Sequence, residues 1–337
     1  MKMALFTLIF VALAAFHVEG ILHQSISEIT PPVTVVESLF VDDEEGVIYY
    51  VDVISSKVYK HSYHTGKTTS TKIPTESVGA AIPIHGAKHH FLVAADHHLG
   101  ILKWDGENDS GNITKLKTDL KLHKHEKLFH GKADPEGRLW IGTIRVEDKN
   151  GGHIVERGGS LYSITVHKDH SVKVEKKLNH VTIVTGLGWT HDNKSLYFVD
   201  SPTRKILKYH FDPEKGSLGK SEVFFDLDHH SKYRGLPHGI TLKYNDNVIL
   251  ALWEGSTLLH IDARNHTVIE RVHLPVSHPT SLAWGKGVVP NTIYIGTGRL
   301  TLTEEELNHN PFNSGSVFTL DKMACVGLPS LKIQLAD

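Results

Sequence analysis

HGKADPEGRLWIGT, residues 130–143, is the stretch from which the fold is read. Asp134-Pro135-Glu136-Gly137 has the form of a tight turn, with Pro at its second position and Gly at its fourth. The run from Arg138 to Thr143 alternates large apolar with small residues, as a half-buried strand does. The same turn-then-strand unit returns as DDEEGVIYYVDV at 42–53, HDNKSLYFVDS at 191–201 and NTIYIGTG at 291–298. Recurrence at such spacing marks a repeat architecture.

Working outward, six apolar strand cores stand near Val47–Val53, His90–Ala95, Arg138–Thr143, Ser195–Asp200, Asn247–Trp253 and Thr292–Gly296. Their separation matches the length of a propeller blade, about 40–50 residues. Each is followed by a second strand: Lys57–Tyr63, Leu99–Trp104, Gly159–Thr165, Lys205–Phe211, Thr257–Asp262 and Gly315–Leu320. Turn residues such as Asp212-Pro213-Glu214-Lys215-Gly216 lie between them, and long helical periodicity is absent. The expectation is an all-β chain: one six-bladed β-propeller over 21–337, whose radial repetition leaves few exposed edges. His123 to His130, rich in His and Lys, reads as a loop at the pocket mouth. Thr301 to Asn313 reads as a polar insertion in the last blade, where Thr303-Glu304-Glu305-Glu306 can start a short helix.

Met1 to Gly20 reads as a secretory signal peptide. Lys2 supplies its charged start, Ala4 to Phe16 its short apolar run, and small residues precede Ile21. That run is too short for a membrane span, and no second long apolar stretch follows. The mature chain is expected to be secreted, soluble and monomeric. Sequons at Asn108, Asn112, Asn193 and Asn265 agree with that address. The formal net charge is -2, from 36 basic and 38 acidic residues. That balance offers no general field for nucleic acid or an anionic membrane. A single cysteine, Cys325, excludes an intramolecular disulfide. Histidine is the outlier, with 26 residues; most are expected in solvated loops.

The stretches VVESLF (35–40), GKADPEGRLWIGT (131–143), GGSLYSI (158–164), TGLGWTHDNKSLYFVDS (185–201), LPHGIT (236–241) and GSVFTL (315–320) resemble the senescence marker protein (regucalcin), gluconolactonase and luciferin-regenerating enzyme family. They occur in the family's order, and the resemblance is nearest the insect luciferin-regenerating branch. It implies a propeller whose central channel holds a divalent cation, usually calcium, through Glu, Asn and Asp. Glu37 stands at the Glu position. Thr185 takes the Asn position, and a hydroxyl is a poorer calcium ligand than a carbonyl. His238 takes the Asp position, thought to serve both metal and proton transfer, which makes His238 the catalytic candidate. An imidazole there suits zinc better than calcium. The family's substrate loop N-R-x-N-D-G-K reads Glu126-Lys127-Leu128-Phe129-His130-Gly131-Lys132. Lys127 keeps a charge without a planar fork, Phe129 turns a hydroxyl contact into an apolar wall, and His130 replaces an Asp. Glu147 stands where the family keeps an acidic residue. The resemblance thus implies Lys127, Phe129, His130 and Glu147 as substrate-binding.

Two readings of the metal position follow. Glu37, His130 and His238 could form a zinc set with an open position for water. Alternatively the channel has left metal binding and carries no cofactor, its histidines following the general richness of the chain. Three functions stay open: a non-catalytic propeller binding a small molecule in its channel, a metal-dependent lactone or ester hydrolase, and a protein-interaction propeller. Asp52, Asp134 and Asp200 read as turn or strand-end residues satisfying backbone groups. Trp140, Trp189, Trp253 and Trp284 read as inter-blade core. No G-x-S-x-G elbow supports a serine hydrolase.

Overall fold

The computed structural model describes residues 25–147, 152–287, 291–321, 323 and 326–337. The expected signal peptide and Cys325 lie outside the described residues. Six antiparallel sheets make the six blades of a propeller. Blade 1 runs outward through Val36–Asp42, Val47–Asp52, Lys57–Ser62 and Thr68–Lys72. Blade 2 runs through Val78–Pro83, His90–Ala95, His98–Lys103 and Asn112–Lys115. Blade 3 holds Glu126–Ala133, Leu139–Glu147, Gly159–Val166 and Val172–Val181, with the two-residue strand His153–Ile154 beside its second strand. Blade 4 holds Val184–Trp189, Ser195–Asp200, Lys205–Asp212 and Ser217–Asp226, and blade 5 holds Leu236–Leu242, Val248–Trp253, Thr257–Ile261 and Val268–His273. Blade 6 holds Pro279–Gly285, Thr292–Thr297 and Val317–Leu320, and its outermost strand is Ile26–Glu28 from the other end of the chain. That short strand closes the ring, and it was not foreseen from sequence.

The repeated turn-then-strand units are the second strands of the blades. They are buried on both faces rather than half-buried: Leu139, Trp140, Ile141 and Thr143 have no exposed surface. The reason is radial stacking, which sandwiches each inner strand pair between two neighbouring blades. Alternation survives at the rim, where Val268–His273 alternates half-buried with exposed residues. His123 to His130 is likewise not a loop throughout, because Glu126 begins the innermost strand of blade 3. The insertion after Thr301 carries the helix Glu304–His309, closed by a reciprocal capping box between Thr303 and Glu306.

Aspartates at the ends of second strands tie three of the blades together. Asp52 accepts from the amides of Thr34 (3.1 Å), Val35 (3.2 Å) and Ile54 (3.3 Å) and from the Ser55 hydroxyl (2.7 Å). Asp96 does the same for the Glu76 and Ser77 amides, and Asp200 for those of Thr182 and Ile183. In each case amides just before the innermost strand are among the donors, so the carboxylate sets where that strand enters the channel. Asp134 instead holds the 134–137 turn and the Trp140 indole.

A C-terminal segment crosses the end of the channel opposite those entries. Gly327 bridges to Lys243, Ile333 to Ile84 and Ala336 to His167, so one strap touches blades 5, 2 and 3. Ser330 accepts from the Val41 amide (3.2 Å) and Lys332 pairs with Asp42 (2.8 Å), which adds blade 1. Gly137 has φ +77° and lies against the strap at Gln334, where a Cβ would clash with backbone at 2.4 Å. Among the described residues no helix is long and apolar enough to cross a membrane.

Replacing Asp52 by Ala strands several amides in a site only 2% exposed. Unfolding free energy from chemical denaturation is expected to fall by about 1–3 kcal/mol. A loss below about 0.5 kcal/mol, ordinary for a surface change, would contradict the role given to these aspartates.

Candidate functional site

Every innermost strand breaks register at the same level. The breaks fall between Glu37 and Phe40, Val78 and Ala80, Phe129 and Gly131, Val184 and Gly186, Pro237 and Ile240, and Pro279 and Leu282. A bulge leaves residues unpaired and turns side chains out of the ladder. The bulged residues are Ser38 and Leu39, Gly79, His130, Thr185, His238 and Gly239, and Thr280 and Ser281. They form a ring around the channel. Glycine is required at two of these places: a Cβ on Gly79 would lie 2.5 Å from the Leu128 carbonyl, and one on Gly239 would lie 2.0 Å from that of Thr280. Gly79 also lets blades 1 and 3 meet across blade 2. The Ser38 hydroxyl donates to the Gly79 carbonyl (2.8 Å) and accepts from the Gly131 amide (3.3 Å).

Glu37 lies in this ring with no exposed surface. His130 reaches it from a backbone with φ +47°, and its Nδ1 lies 2.9 Å from Glu37 Oε2. With the carboxylate accepting, that bond needs the imidazole proton on Nδ1. His238 Nε2 lies 3.6 Å from the other oxygen, Oε1. The His238 ring stacks on Trp253, with centroids 5.5 Å apart and planes at 24°. Trp253 in turn meets the edge of His278 at 4.3 Å. Gly298 covers the indole, where a Cβ would sit 2.9 Å from the ring. Lys132 comes from below and donates to the Ile240 carbonyl (3.1 Å). Burial pushes its ammonium down to about 8, with Glu37 opposing that fall. Burial likewise pushes His238 down to about 4, again opposed by Glu37. Glu37 Oε1, His130 Nε2 and the Thr185 hydroxyl are buried without a hydrogen-bond partner, a state that costs free energy unless a bound molecule or water satisfies them.

The expected site residues separate into two groups. Glu37, His130, His238 and Thr185 share the ring, all of them 7% exposed or less. The outer substrate candidates are engaged elsewhere. Lys127 pairs with Glu76 at 2.6 Å and stands 3.8 Å from Asp96. Phe129 packs half-buried against the core of blades 1 to 3. Glu147 is exposed at a strand end and pairs with Arg145. Trp253, expected in the inter-blade core with Trp140, Trp189 and Trp284, lies over His238 instead. Lys132 and His278 were missed. The available signal was a lysine two positions after the bulge histidine, and a histidine just before the innermost strand of blade 6.

The donor set does not fit calcium, which takes six to eight oxygens. The ring offers one carboxylate, with one oxygen held by His130, and the Thr185 hydroxyl, while the Ser38, Thr280 and Ser281 hydroxyls are engaged with backbone groups. The zinc set is not assembled either. Both imidazoles face the Glu37 carboxylate rather than a common point, and among the described residues no cluster of three or more His, Cys, Asp or Glu is placed to hold a metal.

A depressed His238 has a pH consequence. Its value drops from the ordinary 6.5 to about 4 on folding. Between those values the unfolded chain binds a proton that the folded chain refuses, so stability falls as pH drops through this window. Urea melts from pH 7 to pH 5 are expected to show a shallower loss for His238→Gln than for the wild type. Equal slopes, or a His238 resonance titrating near 6.5, would contradict this.

The profile of the SMP-30/Gluconolactonase/LRE-like region matches residues 35–299, which span all six innermost strands. An uncharacterized protein of Sulfolobus acidocaldarius is 32% identical over 250 residues, 74% of this chain and 82% of its own. Regucalcin of Xenopus laevis is 26% identical and covers 87% of this chain and 92% of its own. A solved luciferin-regenerating enzyme superposes with a TM-score of 0.81 at 26% identity, over 93% of this chain and 100% of its own. On the profile match and the Sulfolobus relative together, the chain belongs to the SMP-30/gluconolactonase/LRE-like family.

Proposed function

We propose that this propeller binds a small molecule in its channel without calcium and without turnover. One observation carries the reading. Glu37, the carboxylate that the family resemblance assigns to a cation, has one oxygen hydrogen-bonded to His130 at 2.9 Å and the other facing His238 at 3.6 Å. A divalent ion would have to displace the first imidazole and would find few oxygens to replace it. The unpartnered Glu37 Oε1, His130 Nε2 and Thr185 hydroxyl suit a compact polar group instead. The proposal extends to the rest of the chain: residues 1–20 direct secretion, the mature protein is a monomer, and the exposed Asn108, Asn112 and Asn265 carry glycans. Neither nucleic acid nor membrane is a partner, given a net charge of -2.

The hydrolase reading has one observation in its favour. His130 is oriented by a carboxylate through Nδ1 and keeps Nε2 free, the arrangement of a general base. Both readings are tested together. A ligand that binds only the folded state raises its melting temperature. Millimolar calcium is expected to leave the melting temperature where a chelator leaves it, and glucono-δ-lactone to hydrolyse at its background rate. A rise of several degrees with calcium, or turnover lost in Glu37→Gln, would overturn the proposal.

A further inference from the structure

Below the bulge ring the channel opens into a chamber of about 230 Å³. Leu187, Leu242 and Leu282 form its walls, and the strap at Leu328–Leu331 closes its floor. Three features set its chemistry. The Lys132 ammonium lines it with a single hydrogen bond, to the Ile240 carbonyl, so further N–H groups remain to be satisfied. The Trp189 and Trp284 side chains also line it and are 6% and 3% exposed. Among the described residues no aspartate or glutamate lines the chamber. Tyr244 and Leu331, 49% and 37% exposed, line its opening beside His191 and Asn193.

We propose that this lower chamber is a binding site for a short-chain carboxylate, its alkyl tail among the leucines and its head group on Lys132. The assignment deepens the reading of the protein as a small-molecule binder and rests on it. A cation with no carboxylate among the lining residues, set among apolar walls, selects an amphipathic anion. A neutral alcohol would leave the ammonium unanswered, and a sugar would leave its hydroxyls against leucine. The volume lies below the ~300–1,000 Å³ typical of drug-sized ligands, so the tail is short. Glu37 attracts Lys132 from above the ring but shares no hydrogen bond with it, so the ammonium keeps N–H groups for a ligand in the chamber.

Octanoate is the probe, with octanol as its uncharged match, titrated into the full-length mature protein in the presence of a chelator. The readouts are tryptophan fluorescence, to which Trp189 and Trp284 contribute, and melting temperature. Octanoate is expected to bind at least about tenfold tighter than octanol. That preference should vanish in Lys132→Met, and Leu282→Phe, which fills the chamber, should weaken both ligands. Equal affinities for the two in the wild type would overturn the carboxylate assignment. No saturable binding, or wild-type binding by Leu282→Phe, would overturn the chamber itself. The wild-type comparison and Leu282→Phe keep the test decisive if Lys132→Met fails to fold. The chelator keeps these arms separate from the calcium experiment, so the calcium reading and the chamber can fail independently.

Discussion

A carboxylate with no exposed surface sits at the centre of this molecule, and the arrangement of the channel follows from it. An isolated buried carboxylate is too costly to persist unpaired. Glu37 therefore needs a counter-group delivered from another blade. His130 supplies it at 2.9 Å, Lys132 adds positive charge from below, and His238 approaches the second oxygen. The bulges aim His130 and His238 inward, while Lys132 comes from a regularly paired position, and Gly79 and Gly239 let adjacent blades come close enough for the groups to meet. The bulge level is thus where the buried polar groups of the channel converge.

Much of this architecture was legible in the sequence, for a definite reason. The second strand of each blade is a short apolar run, and in several blades it ends in an aspartate or threonine that ties down the chain entering the channel. Asp52 and Asp200 were readable as strand-end residues holding backbone groups, and they do so. The innermost strands were harder to read. Their bulges interrupt alternation, and their polar residues face a channel rather than solvent, so Glu126 to His130 read as loop. The closing strand Ile26–Glu28 is three residues long and carries no apolar pattern of its own; only its pairing with Val317–Leu320 reveals it.

The site shows the same division. Glu37, His130, Thr185 and His238 were found because a family resemblance assigns those positions, and the structure gathers them in one ring. Their partnership was not legible. Nothing in the sequence says that His130 turns Nδ1 onto Glu37, which changes what the ring can hold. Lys127 and Glu147 carried the expected charges, yet each is paired with a neighbour. Trp253 is indistinguishable by composition from Trp140, Trp189 and Trp284. Its place at the channel end of a second strand, rather than among the blades, sets it over His238. The lower chamber depends on the C-terminal strap meeting four blades, a long-range contact that no local pattern encodes.

The central claim is that His130, not a cation, answers the Glu37 carboxylate. The most direct measurement is a long-range ¹⁵N–¹H correlation spectrum of the His130 ring, recorded with and without millimolar calcium. The account predicts a proton on Nδ1, held by the carboxylate, and signals that calcium leaves unchanged. A ring protonated only on Nε2, or His130 signals displaced by calcium as Glu37 turns to an ion, would contradict it.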